Sequence, residues 1–291
     1  VKKVLIVGAS GLLGGSLTQY LKEKSEYHIF TLSCHSTGTD FQLDMSGTQS
    51  SLALLNQISP DYIINLAAIT DVELCEQDIN LAYRVNCKIA ENLALYNSQR
   101  KGRDRAFIVQ VSTDHFYDTG TESKEKDVII SNNYAMTKYC AEKSLNCNES
   151  VILRTNFIGR SSSASSMSLT DHMFARYHSG DEICLFNDVF ISALSIETLC
   201  EVIALCLARK IPGTFNVGSK HGLSKEAVIV SFFEYLGYKD FNYKSISIDN
   251  LQLLTRRPKD MRMDVTAFEK AYQYTLPSFK NEIRKIANEY K

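Results

Sequence analysis

Val4-Leu5-Ile6-Val7-Gly8-Ala9-Ser10-Gly11-Leu12-Leu13-Gly14 is the stretch that decides the fold. Its short run of mainly β-branched apolar residues reads as a strand buried on both faces, as in a parallel sheet. Three glycines in the spacing G-x-x-G-x-x-G follow at once. A helix is then expected over about 12–24, with Leu13, Leu17, Tyr20 and Leu21 along one side. Glycines at such a turn let the backbone approach a pyrophosphate closely, at the positive end of the helix dipole. The common dinucleotide fingerprint is G-x-G-x-x-G; here the spacing differs and the physics is shared. Gly8, Gly11 and Gly14, with Ser10, Leu12 and Leu13 between them, are the expected cofactor-loop residues. A purely structural turn is the alternative.

Outward from this loop the chain alternates. Strands are expected at 27–33, 61–66, 106–112 and 150–155, and helices at 49–57, 78–98 and 133–147. Parallel strands need crossover connections, so the pattern predicts an α/β fold with a doubly wound parallel sheet (Rossmann). A dinucleotide-binding domain over 1–155, rejoined by about 190–217, and a smaller α/β substrate-binding region over 156–291 are expected. The later elements are helices at 195–209, 224–237 and 278–290 and strands at 213–217 and 243–248. The Ser-rich segment 160–168 reads either as a lid or as a disordered connection.

Bulk properties exclude several classes. With 291 residues and 44% hydrophobic content, the chain can furnish a sizeable core. A formal net charge of −1 gives no basic field to attract nucleic acid. No apolar run approaches the ~20 residues that span a bilayer. The first strand follows Val1-Lys2-Lys3 directly, so export is not expected and a cytoplasmic location is. Eight cysteines include no C-x-x-C pair and no histidine at zinc-finger spacing, which predicts reduced thiols and no metal site. Cys200 and Cys206 sit in an apolar run, where a thiol acts as a small core hydrophobe.

Tyr134-Ala135-Met136-Thr137-Lys138 puts a phenol and an ammonium at i and i+4, on one face of a helix. A free phenol titrates near ~10. A neighbouring ammonium favours phenolate and makes Tyr a usable acid or base. The lysine can also reach a cofactor ribose, and an exposed helix face is the bland alternative. Val111-Ser112-Thr113-Asp114 stands at the C-terminal end of a strand, where open α/β sheets place their ligand crevice. The Thr113 hydroxyl can bond a substrate oxygen that gains charge, and Asp114 can orient a sugar hydroxyl or merely serve as a cap. The tip of the second strand, Ser33-Cys34-His35-Ser36, carries neither an acid for a ribose 2′-hydroxyl nor an Arg for a 2′-phosphate. NADPH is therefore admitted, with a slight preference over NADH.

Together these residues, with Asn65-Leu66-Ala67-Ala68, resemble the extended short-chain dehydrogenases. Ala67-Ala68-Ile69-Thr70-Asp71-Val72-Glu73 with Glu76, then Ser112-Thr113-Asp114-His115-Phe116-Tyr117-Asp118, narrow the likeness to dTDP-4-dehydrorhamnose reductases. Arg257-Pro258-Lys259-Asp260-Met261-Arg262-Met263-Asp264, followed by Leu276-Pro277, is similar to the end of the same family. The likeness covers nearly the whole chain and is patchy after residue 155. It implies reduction by NADPH or NADH of a 4-keto group on a nucleotide-linked deoxysugar. Tyr134 would protonate the C4 oxygen, Lys138 would lower the Tyr pKa and hold the ribose, and Thr113 would bind the reacting oxygen. Asp44 and Met45 would border the adenine, and Leu66, Ala67 and Ala68 would line the cofactor. Asp114, Asn156 and Arg257 would meet the sugar nucleotide, and a homodimer is compatible with the likeness.

Ala135 stands where the family usually has Gly, Asn156-Phe157-Ile158 where it has an aromatic Trp, and Ile191-Ser192-Ala193-Leu194 where it often has Gly-x-Pro-Thr. These departures touch the substrate more than the reaction. An epimerase of the same fold stays open. A 4,6-dehydratase is less favoured, because His115 stands where such enzymes have an acid. A non-catalytic nucleotide-binding subunit, like the regulatory partner of methionine adenosyltransferase, is the rival from another class. Some relatives use magnesium at a dimer contact, but no acidic cluster here suggests it.

Overall fold

The computed structural model describes residues 1–24, 26–161, 166–238 and 241–291. Strands β1 (Lys2–Val7), β2 (Tyr27–Ser33), β3 (Phe41–Gln42), β4 (Tyr62–Asn65), β5 (Phe107–Val111) and β6 (Ser150–Thr155) run parallel in one sheet. Between them lie α1 (Leu12–Glu23), α2 (Thr48–Ile58), α3 (Val72–Gln77), α4 (Ile79–Tyr83), α5 (Ile89–Ser98) and α6 (Asn133–Ser144). Further along come β7 (Phe157–Ile158), α7 (Leu169–Ser179), β8 (Ile183–Phe186), β9 (Phe190–Ile191), β10 (Leu194–Ser195), α8 (Ile196–Arg209) and β11 (Gly213–Val217). Last are β12 (Leu223–Ser224), α9 (Lys225–Leu236), β13 (Tyr243–Ile246), α10 (Thr266–Tyr272) and α11 (Phe279–Asn288).

The seven-stranded sheet has the order β11-β6-β5-β4-β1-β2-β3. Val4 to Val7, all of β4 and all of β5 are buried, which is why these strands are apolar on both faces apart from Asn65 and Gln110, whose side chains bond each other. The order reverses between β1 and β4. Open α/β sheets bind ligands outside the strand ends at such a switch point. The expected doubly wound α/β architecture is the one observed.

The chain divides into two compact units. The first comprises Val1–Ser112, Ile130–Leu153 and Cys200–Thr214; the second comprises Thr113–Ile129, Arg154–Leu199 and Phe215–Lys291. In the first, Leu5, Val7, Leu55, Ile63, Leu93 and Ile108 pack one core between sheet and helices. In the second, Ile183, Leu185, Val228, Phe232, Phe233 and Ile283 form a separate core.

Several details depart from expectation, and β8 and α10 had no expected counterpart. The helix expected over 78–98 begins earlier and is broken. Asp71 caps α3 by accepting the Leu74 N–H, and Asp78 caps α4 by accepting the Leu81 N–H. A π-helical turn, Arg84–Lys88, then joins α4 to α5 and carries the buried Asn86. In the second unit α7 was not foreseen, although Ser168 and Asp171 form a reciprocal capping box at its start. The Ser-rich segment falls in part on residues 162–165, which lie outside the described residues. No described helix is long and apolar enough to cross a membrane.

Candidate active site

The glycine loop sits at the switch point and is shaped by contact. Gly8 has φ +86°, and a Cβ there would come within 2.9 Å of the Ala67 backbone nitrogen. Only glycine satisfies both the left-handed backbone and that approach. At Gly14 a Cβ would lie 2.4 Å from the Gly8 carbonyl oxygen, so this glycine seats α1 against the loop. Gly11 is different. A Cβ there would meet only the Gly8 oxygen, at an ordinary 3.4 Å, so folding does not demand glycine at this position. Gly11 opens α1 with no side chain capping the helix, and Ser10 and Gly11 are exposed. Uncapped N–H groups at the positive end of a 12-residue helix fit a pyrophosphate.

Leu66, Ala67 and Ala68 leave the end of β4 beside this loop, partly exposed; Leu66 donates its N–H to the Val7 oxygen at 2.9 Å. Leu13 is instead a core residue. So is Met45, whose carbonyl is bonded by Ser51 and Asn92, while its neighbour Asp44 is exposed and accepts the Ser46 N–H. At the second-strand tip the Ser33 hydroxyl turns onto the Ser36 carbonyl at 3.0 Å. An acid that the reading overlooked, Asp40, accepts both the backbone N–H and the hydroxyl of Thr31. These bonds, the Thr31 hydroxyl first, hold its carboxyl below the usual range.

Helix α6 carries Tyr134 and Lys138, the pair expected to handle protons. Its N-terminus is fixed twice: Asn132 accepts the Ala135 N–H at 2.9 Å, and Glu76 accepts the Asn133 N–H at 3.1 Å. Tyr134 is buried and packs with Val72, Cys75 and Ala82. Lys138, one turn later, is 3% exposed and donates from Nζ to the Val111 carbonyl at 2.8 Å. Burial pushes its pKa down to about 8, while the charge of Glu142 opposes the fall. The Val111 carbonyl also receives the Gln110 side-chain amide, and Gln110 in turn accepts from Asn65 at the end of β4. A buried polar chain thus ties β4, β5 and α6 together.

The second unit presents a different set. Thr113 is buried, and its Oγ1 accepts the His115 N–H at 3.2 Å. Asp114, 2% exposed, accepts from the Asn156 amide at 2.8 Å, which joins two of the expected substrate residues. Burial raises its pKa to about 6, against the pull of Asn156 and Lys225. His115 is driven to about 3 by burial, then by the nearby positive Lys225 and Arg257, so its imidazole is neutral at physiological pH. Lys225 is itself lowered by burial and by Arg257, with Asp114 opposing. His115, Lys225 and Arg257 line a cavity of about 210 Å³ with Val189, Ile248 and Met261. Asp118 accepts the backbone N–H groups of Lys259 and Asp260, which fixes the run that begins at Arg257.

Residues 2–291 match the family described as RmlD substrate binding domain. The chain belongs to this family. It is 24% identical over 291 residues to the probable low-salt glycan biosynthesis reductase Agl14 of Haloferax volcanii, covering 96% of this chain and 95% of that one. The crystal structure of a dTDP-4-dehydrorhamnose reductase from Clostridium acetobutylicum superposes with a TM-score of 0.86 at 25% identity, over 98% of both chains. A second dTDP-4-dehydrorhamnose reductase structure, from Bacillus anthracis in complex with NADP, gives 0.87 at 23% identity, over 99% of both.

Within this family member, three residues near the expected site went unread in the sequence. Asn86 bonds both the N–H and the carbonyl of Ile69 and also the Thr137 hydroxyl, so it pins the segment after Ala68 to α6. Glu142 accepts the Ser112 hydroxyl at 2.5 Å. Lys225 faces Asp114 electrostatically. Of the three, Glu142 had a visible signal, since it lies at i+4 from Lys138. Ala135, where the family usually has Gly, is fully buried and its methyl is accommodated.

Proposed function

We propose that this family member reduces the 4-keto group of a nucleotide-linked deoxysugar with NADPH or NADH. The observation that carries the reading is the buried Tyr134–Lys138 pair on α6, in the same unit as a glycine loop that leaves room for a pyrophosphate at Gly11. Its likeness to the Clostridium acetobutylicum dTDP-4-dehydrorhamnose reductase supports it.

When bound, the nicotinamide supplies a hydride to C4. Gly8, Gly11 and Gly14, with Ser10, Leu12 and Leu13, form the backbone loop for the dinucleotide phosphates, and Leu66, Ala67 and Ala68 flank it. Asp44 and the Met45 backbone border the adenine side. The Tyr134 hydroxyl donates the proton that the C4 oxygen needs, and the Lys138 ammonium favours the phenolate left behind. The role proposed for the Thr113 hydroxyl is to bond a substrate oxygen as charge develops on it. Asp114 and Asn156 orient sugar hydroxyls, and Arg257 meets the negative end of the substrate. His115 is held neutral, so it cannot replace the acid that elimination of water requires. Dehydration is accordingly disfavoured. We place the enzyme in the cytosol, as a monomer or a homodimer.

The test is a panel of nucleotide-linked 4-keto sugars incubated with NADPH while absorbance of the reduced cofactor is followed. Stoichiometric oxidation with at least one sugar is expected. An epimerase would convert sugar without net oxidation, and a regulatory subunit would bind cofactor and leave every sugar unchanged.

A further inference from the structure

Two side chains one turn apart on α6 hold two consecutive residues at the end of β5. Lys138 bonds the Val111 carbonyl at 2.8 Å, and Glu142 accepts the Ser112 hydroxyl at 2.5 Å. Ser112 is further fixed by its N–H on the Leu153 oxygen at 2.7 Å, and the chain continues from it as Thr113. Glu142 is only 4% exposed. A buried carboxylate is costly unless bonded and paired. A neutral amide would satisfy the Ser112 bond at lower cost, so the bond alone does not account for an acid.

We propose that Glu142 is a positioning residue of the reductase, fastening the β5 end through Ser112 and giving the buried Lys138 ammonium its counter-charge. This rests on the reductase reading above. Burial disfavours the charged lysine and the Glu142 carboxylate works against that penalty. The neighbouring elements bring other ionisable groups: Glu73, Cys75 and Glu76 on α3, Tyr83 on α4, Arg84, Cys87 and Lys88 on the π turn, and Glu91 and Tyr96 on α5. Helix α6 adds Tyr134, Tyr139, Cys140 and Lys143, and β5 adds none. Glu76 is engaged by the Asn133 N–H, while Tyr83, Cys87 and Lys88 all bond Glu91. Among the described residues, Glu142 is the acid whose charge acts on Lys138.

Glu142→Gln keeps a bonding partner for Ser112 and removes the charge. Steady-state rates with NADPH and the accepted sugar are compared from about pH 6 to about pH 9, the range in which such groups titrate. The variant should lose kcat roughly tenfold at the alkaline end, with the fall beginning at lower pH than in the wild type. It should recover on acidification, at unchanged sugar KM and unchanged Tm. Ser112→Ala, which leaves the charge, should lower kcat less and keep the wild-type alkaline limb. If the Gln variant is poorly folded, Glu142→Asp supplies the check by restoring the limb with the charge. A Gln variant with the wild-type profile, or an Asp variant with the Gln profile, overturns the proposal. Should the wild type reduce no sugar, the reductase reading fails separately. NADPH affinity against pH then remains as the readout, and identical wild-type and Gln curves overturn the role of Glu142.

Discussion

The two units bury charge in opposite ways. The first buries a base, Lys138, and backs it with an acid on the same helix and with the Val111 carbonyl at the end of β5. Its pKa falls to about 8. The second buries an acid, Asp114, and backs it with an amide from Asn156 and a cation from the start of α9. Its pKa rises to about 6. Both shifts run toward neutrality, where a group can exchange protons or switch its bonding. The supports differ in kind. Helix α6 and strand β5 are regular elements that fix geometry closely, which suits the reaction, whereas Asp114 and Asn156 lie on connecting segments that vary readily between relatives, which suits recognition. Two of the three departures from the family pattern fall in the second unit, at Asn156-Phe157-Ile158 and Ile191-Ser192-Ala193-Leu194, and the third, Ala135, lies on α6.

The contrast can be broken at its strongest point first. Tyr134→Phe should reduce turnover by roughly 100-fold or more, with NADPH affinity intact. Near-normal turnover would move the acid elsewhere. Next, Gly11→Val should weaken NADPH binding by about tenfold or more, ~1.4 kcal/mol, because the added branches fill space the protein leaves open. Its Tm should hold, since the backbone there is extended and uncrowded. Unchanged affinity by calorimetry would remove the loop from the cofactor site.

A third prediction concerns Asp114 and stability. Its folded pKa is raised by burial, so the native state holds a proton that the unfolded chain releases. The associated stability is present below the ordinary carboxyl range and is lost as pH rises through about 6. Asp114→Asn cannot ionise, so its stability relative to wild type should improve between pH 4 and pH 7, by about 3 kcal/mol at most. Parallel melting curves across that interval would show that Asp114 is not strained by burial. The smallest effect is expected at the second-strand tip, where NADPH should exceed NADH in kcat/KM by less than about tenfold, ~1.4 kcal/mol. A strong preference for NADH would contradict it.

The sequence carried the first unit far better than the second. Strands such as Val4 to Val7 and the Tyr62 to Ile64 part of β4 are continuously apolar because helices cover both faces, and that pattern survives without any knowledge of partners. The two-residue strands β7, β9, β10 and β12 exist only through tertiary pairing, so no local period announces them. The breaks at Asp71 and Asp78 had cap signals that the long apolar run masked, and the π turn around Asn86 had none. The tight turn at Gly8 and Gly14 and the helical placement of Tyr134 and Lys138 were legible from spacing. Lys225 was not, because its relation to Asp114 spans more than a hundred residues of chain. Met45 shows the limit of a motif: the position was inferred, yet the side chain belongs to the core.

The most direct test follows the hydride and the proton together. NADPH carrying deuterium at the transferable nicotinamide position is mixed in a single turnover with a nucleotide-linked 4-keto sugar. The account predicts deuterium on C4 of the sugar with the wild type, and a slow or absent transfer with Tyr134→Phe although the variant still binds NADPH. Absence of label on C4 with every sugar tried, despite bound NADPH, would contradict it.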